Sequence, residues 1–348
     1  MKKFLIYISQ SYSIPIGRPL QDEIRRRGFQ VRWFCDEKET KKYLSTNETL
    51  LDSIEDVLNY HPDVVLVSTN VVPNFFSGIK VQIFHGFSIG KRNAAKGHFN
   101  IRGFFDLYCT QGESTTKPFL TLQKKHQYFQ VIETGWSKVD PLFPLKYLDK
   151  QNIIPTIMIS STFTTRLSLA KNPEIVKEIE RLSKLGKYKF ISVLHPKMEQ
   201  KIVEKFKSFN NKNFTFYDTT DLIPLFKKAD VMLSDTTSAI TEFMLQQKPV
   251  VTINNNQPQP YMINISQAKE IEGALDLALS KPKDIMEELK NFIQITHPYN
   301  DGKSSQRIID ACLDFLENHN IKRKPLNFIR KFKIRKKLGY FHINIFKR

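Results

Sequence analysis

The sequence predicts two doubly wound α/β domains, each a parallel sheet covered by helices. Three observations point there. Short apolar runs alternate with helical patterns from Lys3 to Ile253 with little interruption, the pattern of successive β-α-β units. The 348 residues exceed what a single hydrophobic core usually organises. The stretch Pro141–Gln151, with Pro141 and Pro144 among mixed polar residues, breaks the alternation and is the best boundary. The expected domains are therefore 1–145 and 150–315, with a separate basic tail over 321–348. Two such domains facing one another would leave a central cleft.

In the first domain the strands are expected at Lys3–Ile8, Val31–Cys35, Val64–Ser68, Val81–Phe84, Leu107–Thr110 and Tyr128–Glu133. In the second they are expected at Thr156–Ser160, Phe190–Leu194, Phe214–Tyr217, Asp230–Ser234 and Val250–Ile253. No apolar run approaches the ~18 residues of a membrane-spanning helix, and Phe4–Ile8 is too short for the core of a signal peptide. Cys35, Cys109 and Cys312 are few, odd in number and far apart, which suggests a reducing compartment rather than a disulfide framework. The net charge of +18 is concentrated at one end: Ile321–Arg348 carries eleven Lys or Arg and no acid. Those cations are interleaved with Leu326, Phe328, Ile329, Phe332, Ile334, Leu338, Tyr340, Phe341, Ile343, Ile345 and Phe346, a mixture suited to an anionic membrane surface. Simple packing on the domain and a single-stranded nucleic-acid groove are the competing readings.

The most informative segment is Ala229–Asn254. A buried strand runs into Ser234-Asp235-Thr236-Thr237-Ser238, a helical pattern follows through Ile240, Phe243 and Leu245, and Val250–Ile253 forms the next strand. Hydroxyls at a helix start suit an anion, because unpaired N–H groups and the positive dipole end meet there. The plainer alternative is that Thr237 or Ser238 caps the helix. Ligands of doubly wound sheets bind beyond the carboxyl ends of strands, so each polar cluster can be tested for its end. His85-Gly86, Ser160-Ser161-Thr162, His195-Pro196 and Ser234-Asp235 all follow a strand; His61-Pro62 precedes one, and His297-Pro298 follows a helical pattern.

Two strand-end histidines suit a transfer between a nucleotide-linked donor and a hydroxyl. His85 is the candidate general base, since imidazole accepts a proton near neutrality, and Gly86 lets the chain turn closely beneath a substrate. His195, with Lys197, would donate to the departing phosphate oxygen. Asp235 completes the catalytic group by orienting the turn or the acceptor, because a carboxylate at a phosphate seat repels. Glu242, seven residues on, would reach ribose hydroxyls. No Cys/His spacing fits zinc, no Asp-x-Asp is present for magnesium and no Gly-x-Ser-x-Gly elbow occurs, so no metal or cofactor is expected.

The ordered motifs QIFHG (Gln82–Gly86), GWSKVDPL (Gly135–Leu142), SSTFTTRLSL (Ser160–Leu169), LHPK (Leu194–Lys197), ADVMLSDTTSAITEF (Ala229–Phe243) and NDGKSSQRI (Asn300–Ile308) resemble the CDP-glycerol glycerophosphotransferase family of teichoic acid and capsule biosynthesis. The resemblance covers about residues 60–315. It implies a GT-B-like fold and transfer of a polyol phosphate from a CDP-linked donor to a lipid-linked glycan or polyol-phosphate acceptor, with release of CMP. It implies His85 as base, His195, Thr236, Thr237 and Ser238 at the donor phosphates, and Glu242 at the ribose. Thr162, Lys197, Ser234 and Arg307, the last in the terminal motif, complete the expected donor-binding set. The chain departs from the family pattern at Phe87-Ser88, Ser161 and Thr236. A peripheral enzyme on the cytoplasmic membrane face, without nucleic acid, is the expectation. A GT-B glycosyltransferase using a nucleotide-sugar is the alternative, and a non-enzymatic basic binding module is a third reading.

Overall fold

Thirteen short strands, all paired in parallel, form two sheets among the described residues of the computed structural model, which are 1–87, 97, 99–145, 152–318 and 322–341. Strands buried on both faces read as near-continuous apolar runs, and β1 (Lys3–Ile8), β4 (Val64–Val67), β8 (Thr156–Ser161) and β11 (Val231–Ser234) are of this kind. The chain divides into two compact units, one formed by 1–141 with 301–348 and the other by 142–300.

The first unit holds β1, β2 (Gln30–Cys35), β3 (Leu50–Leu51), β4, β5 (Ile79–Gln82), β6 (Leu107–Thr110) and β7 (Gln130–Glu133), in the order β3-β2-β1-β4-β5-β6-β7. Its order reverses between β1 and β4. Helix Ile14–Arg26 follows β1 and buries Ile16, Leu20 and Ile24. Gly17 is needed there, because a Cβ would lie 2.3 Å from the Trp33 ring. The second unit holds β8, β9 (Lys189–Leu194), β10 (Phe214–Phe216), β11, β12 (Val250–Ile253) and β13 (Ile263–Ile265), in the order β10-β9-β8-β11-β12-β13. Here the reversal lies between β8 and β11. Each sheet has its own apolar core, around Leu5, Val65, Phe84 and Phe119 in one and Ile157, Phe190, Leu233 and Val251 in the other.

Two expectations about boundaries change. Residues 301–315, expected in the second domain, belong to the first unit. Helix Ser304–Asn318 packs on helix Ile14–Arg26 and β6. Its first N–H groups are capped by Asp140, which accepts from Ser304 at 2.9 Å and Ser305 at 2.6 Å, and Arg27 pairs with Asp310 at 2.6 Å. The basic segment is likewise not a detached tail over 322–341. Lys324 bonds Asp106 at 2.8 Å, Asn327 donates to the Arg102 carbonyl at 2.6 Å, and helix Phe328–Leu338 buries Ile334 in the first core. Ile321 and 342–348 lie outside the described residues.

Candidate functional site

Each sheet gathers its polar residues at the carboxyl edge, close to the point where its strand order reverses. There the connections from neighbouring strands leave in opposite directions and open a crevice.

In the first unit Tyr12 and Ser13 follow β1 and Ser68 follows β4, at the point of reversal. Ser68 Oγ donates to Ser13 Oγ at 2.7 Å. His85 reaches this point from β5, and its Nδ1 lies 3.1 Å from the Ser68 carbonyl oxygen. A carbonyl only accepts, so in the neutral ring the proton is on Nδ1. The Tyr12 ring lies 5.7 Å from the imidazole, centroid to centroid.

The backbone is bent to aim this histidine. The strand was expected to run through Phe84; it ends at Gln82, and Phe84 adopts φ 55°, left-handed and rare for a bulky residue. Strain of this kind costs of order 1 kcal/mol or more. Tertiary contacts hold it: Trp136 Nε1 donates to the Phe84 carbonyl at 3.3 Å, and the Phe84 ring meets Phe119 at 5.3 Å. Gln82 Nε2 donates to the Ser68 carbonyl at 3.3 Å, and Gln111 Nε2 to the Gly86 carbonyl at 3.2 Å. Trp136, Ser137 and Asp140 of the junction motif are thus a bracket. They hold the His85 turn, the Ile16 carbonyl and the start of helix Ser304–Asn318 respectively.

In the second unit the crevice between β8 and β11 is occupied by Asp235, which is fully buried. Its carboxylate accepts from Ser161 Oγ at 2.6 Å, Thr162 N at 3.0 Å, Leu169 N at 3.1 Å and Thr236 N at 2.5 Å. Asn255 Nδ2 donates to the Asp235 carbonyl at 2.7 Å. Burial pushes this carboxyl up from the ordinary aspartate value, against the pull of those hydrogen bonds. Asp235 therefore orients two turns, and its oxygens are enclosed within the unit. A cavity of about 540 Å³ opens beside this hub, lined by Ser168, Leu169, Asn172 and Asn254 among others.

His195 stands at the carboxyl end of β9, next to β8. The Lys197 N–H donates to its Nδ1 at 3.0 Å. An amide N–H only donates, so in the neutral ring the proton is on Nε2. Phe163 covers the ring at 4.5 Å. Burial, assisted by the Lys197 ammonium, pulls the imidazole below its ordinary value of 6.5.

The other expected residues divide. Ser234 is buried, and its hydroxyl donates to the Ser160 carbonyl at 2.7 Å; that contact ties β11 to β8. Helix Ala239–Met244 is shorter than expected, ending before Gln247, whose φ is 58°. Ser238 precedes it with an exposed side chain and no capping bond, while Thr237 Oγ accepts weakly from Ala239 N at 3.4 Å. Thr236 and Thr237 are half-buried, Glu242 is buried and Lys197 is exposed. Arg307 lies in the first unit, held in a two-point pair by Asp301; it is thereby in the unit of His85 rather than that of His195. Reading the sequence missed Tyr12, Ser68, Gln111 and Asn255, although each follows a strand at its carboxyl end.

Two Rossmann-like parallel sheets of this kind define a GT-B-like α/β protein. Residues 122–313, more than half the chain, match the family model described as UDP-N-acetylglucosamine 2-epimerase, and the chain belongs to that family. No curated protein matches it by sequence. Among solved structures it is similar to the wall teichoic acid polymerase TagF, with 13% identity over 91% of this chain and 90% of that one, TM-score 0.64. It is also similar to MnaA of S. aureus in its complex with UDP, at 14% identity over 91% and 97% of the two chains, TM-score 0.63. The Neisseria meningitidis UDP-GlcNAc 2-epimerase bound to UDP-GlcNAc gives 15% identity, 90% and 100% coverage and a TM-score of 0.62.

Proposed function

We propose that the protein is a GT-B-type transferase that moves a polyol phosphate from a CDP-linked donor such as CDP-glycerol to a hydroxyl of a lipid-linked glycan or polyol-phosphate acceptor. The observation that carries this reading is the opposite backbone partners of the two strand-end histidines, a carbonyl at Nδ1 of His85 and an amide N–H at Nδ1 of His195. In the neutral ring Nε2 of His85 is the basic nitrogen and would accept a proton from the attacking hydroxyl. Nε2–H of His195 donates to the oxygen that leaves with CMP. The hydroxyl oxygen bonds to the β-phosphorus, the bond from that phosphorus to the bridging oxygen breaks, and the alcohol proton passes to His85. Thr236, Thr237 and Ser238 are suited to the donor phosphates, with Lys197 adding positive charge beside His195. Asp235 and Ser234 act by fixing the turns that carry them. The fold shared with TagF and the ordered motifs from His85 to Arg307 support the same reading.

A second reading has one specific observation behind it, the family to which the chain belongs: interconversion of UDP-GlcNAc and its C2 epimer. One experiment separates the two. The protein is incubated with CDP-glycerol and a lipid-linked acceptor analogue, and in parallel with UDP-GlcNAc alone. Acceptor-dependent release of CMP with formation of a phosphodiester is the expected result. Conversion of UDP-GlcNAc to its epimer, with no CMP released from the first mixture, would sink the transferase reading.

A further inference from the structure

Helix Phe328–Leu338 has two faces of different character. The inner one is fixed. Ile334 is buried in the first core, Arg335 lies 4.8 Å over the Phe75 ring, Tyr340 stacks on Phe75 at 4.5 Å, and Lys337 bonds Asp36 at 2.8 Å and Glu37 at 2.9 Å. The outer one carries large apolar groups in water: Phe328 is 71% exposed, Ile329 73% and Phe332 58%, with Leu326 and Phe341 also exposed. Lys333 and Lys336 lie exposed beside them. Apolar side chains gathered on one helix face mark an interaction surface rather than the scattered exposure of an ordinary monomer.

The occupant is argued from charge. The described segment 322–341 has nine Lys or Arg and no acid. A second copy of the same face would oppose like charges, whereas an anionic bilayer attracts the cations and receives the aromatic and aliphatic tips. No helix among the described residues is long and apolar enough to cross a membrane, so the contact is one of lying on the surface. The anchoring points also fix an orientation within the unit. Lys324 is held by Asp106 just before β6, and Lys337 by Asp36 just after β2. The helix therefore crosses one face of the first sheet and finishes at its carboxyl edge, the edge on which His85 stands.

We propose that helix Phe328–Leu338 is a pre-docked membrane-surface element that seats the first unit on anionic lipid, with the His85 edge close to the bilayer. The surface stands independently of which group is transferred. The test is sedimentation of the full chain with vesicles of phosphatidylcholine and phosphatidylglycerol, and with phosphatidylcholine alone. The expected result is binding to the anionic vesicles only, lowered about tenfold or more in the variant Phe328→Ser, Ile329→Ser, Phe332→Ser. Lys333→Gln with Lys336→Gln should weaken binding and reduce its salt dependence. Leu185→Ser with Leu277→Ser, exposed positions of the second unit, should leave binding unchanged. Equal binding by the parent and the triple variant would overturn the proposal. So would failure of the parent to bind anionic vesicles, including the case in which the helix changes affect only binding of single-stranded RNA.

Discussion

The two carboxyl edges share a plan and differ in what occupies the crevice. In the first unit a histidine, His85, reaches the reversal point and is held there by a backbone carbonyl. In the second the corresponding point is filled by the buried Asp235, and the histidine stands one strand away, held by a backbone N–H. A carbonyl and an amide impose opposite tautomers on the same side chain. Each histidine is thereby set in one tautomer of the neutral ring by a backbone group of its own unit. The carboxylate serves the second edge as a scaffold because every one of its hydrogen bonds is made inside the unit.

Replacing the histidines is the strongest way to break this comparison. His85→Ala is expected to lower turnover of CDP-glycerol by about 10³-fold, and His195→Ala by about 10²-fold, in steady-state CMP release. Equal and small losses would dissolve the distinction between base and donor. Asp235→Asn should act on the fold of the second unit, since an amide N–H would then oppose the N–H groups that Asp235 now accepts. A loss of about 2–4 kcal/mol in urea unfolding is expected, and an unaltered midpoint would contradict the scaffold role.

Smaller changes sharpen the comparison. Trp136→Phe removes the hydrogen bond to the Phe84 carbonyl and should cost about 1 kcal/mol of stability, with a fall in kcat larger than any change in KM. A pure KM effect would mean that Trp136 does not aim His85. The smallest expected effect is on titration. His195 should titrate below 6.5, and Lys197→Ala should move it part of the way back by removing the ammonium. With the folded value lowered, the unfolded chain holds more protons as pH falls through the ordinary 6.5, so this group costs stability below that pH and not above it. A His195 value at or above 6.5 by NMR would contradict the burial argument.

Much of the fold was legible because buried parallel strands announce themselves as apolar runs. Lys3–Ile8, Leu107–Thr110 and Val250–Ile253 were expected at the bounds the structure has. Leu50–Leu51 was missed because two residues carry no period, and Ile263–Ile265 because a single Asn interrupts a short edge strand beside a polar loop. Placement at strand carboxyl ends was legible for His85, His195 and Asp235. What each does there was not, since a histidine's proton depends on a partner distant in sequence, such as Ser68 for His85. The return of 301–348 to the first unit was hidden for the same reason: Asp140 and Arg27, which hold helix Ser304–Asn318, carry no local signal of that contact.

The most direct measurement is long-range ¹H–¹⁵N NMR of histidine-labelled protein near neutral pH, with His85 and His195 assigned through His85→Gln and His195→Gln variants. The account requires a protonated Nδ1 and bare Nε2 in His85, and a bare Nδ1 with a protonated Nε2 in His195. The same tautomer at both positions, or the reverse pair, would contradict it.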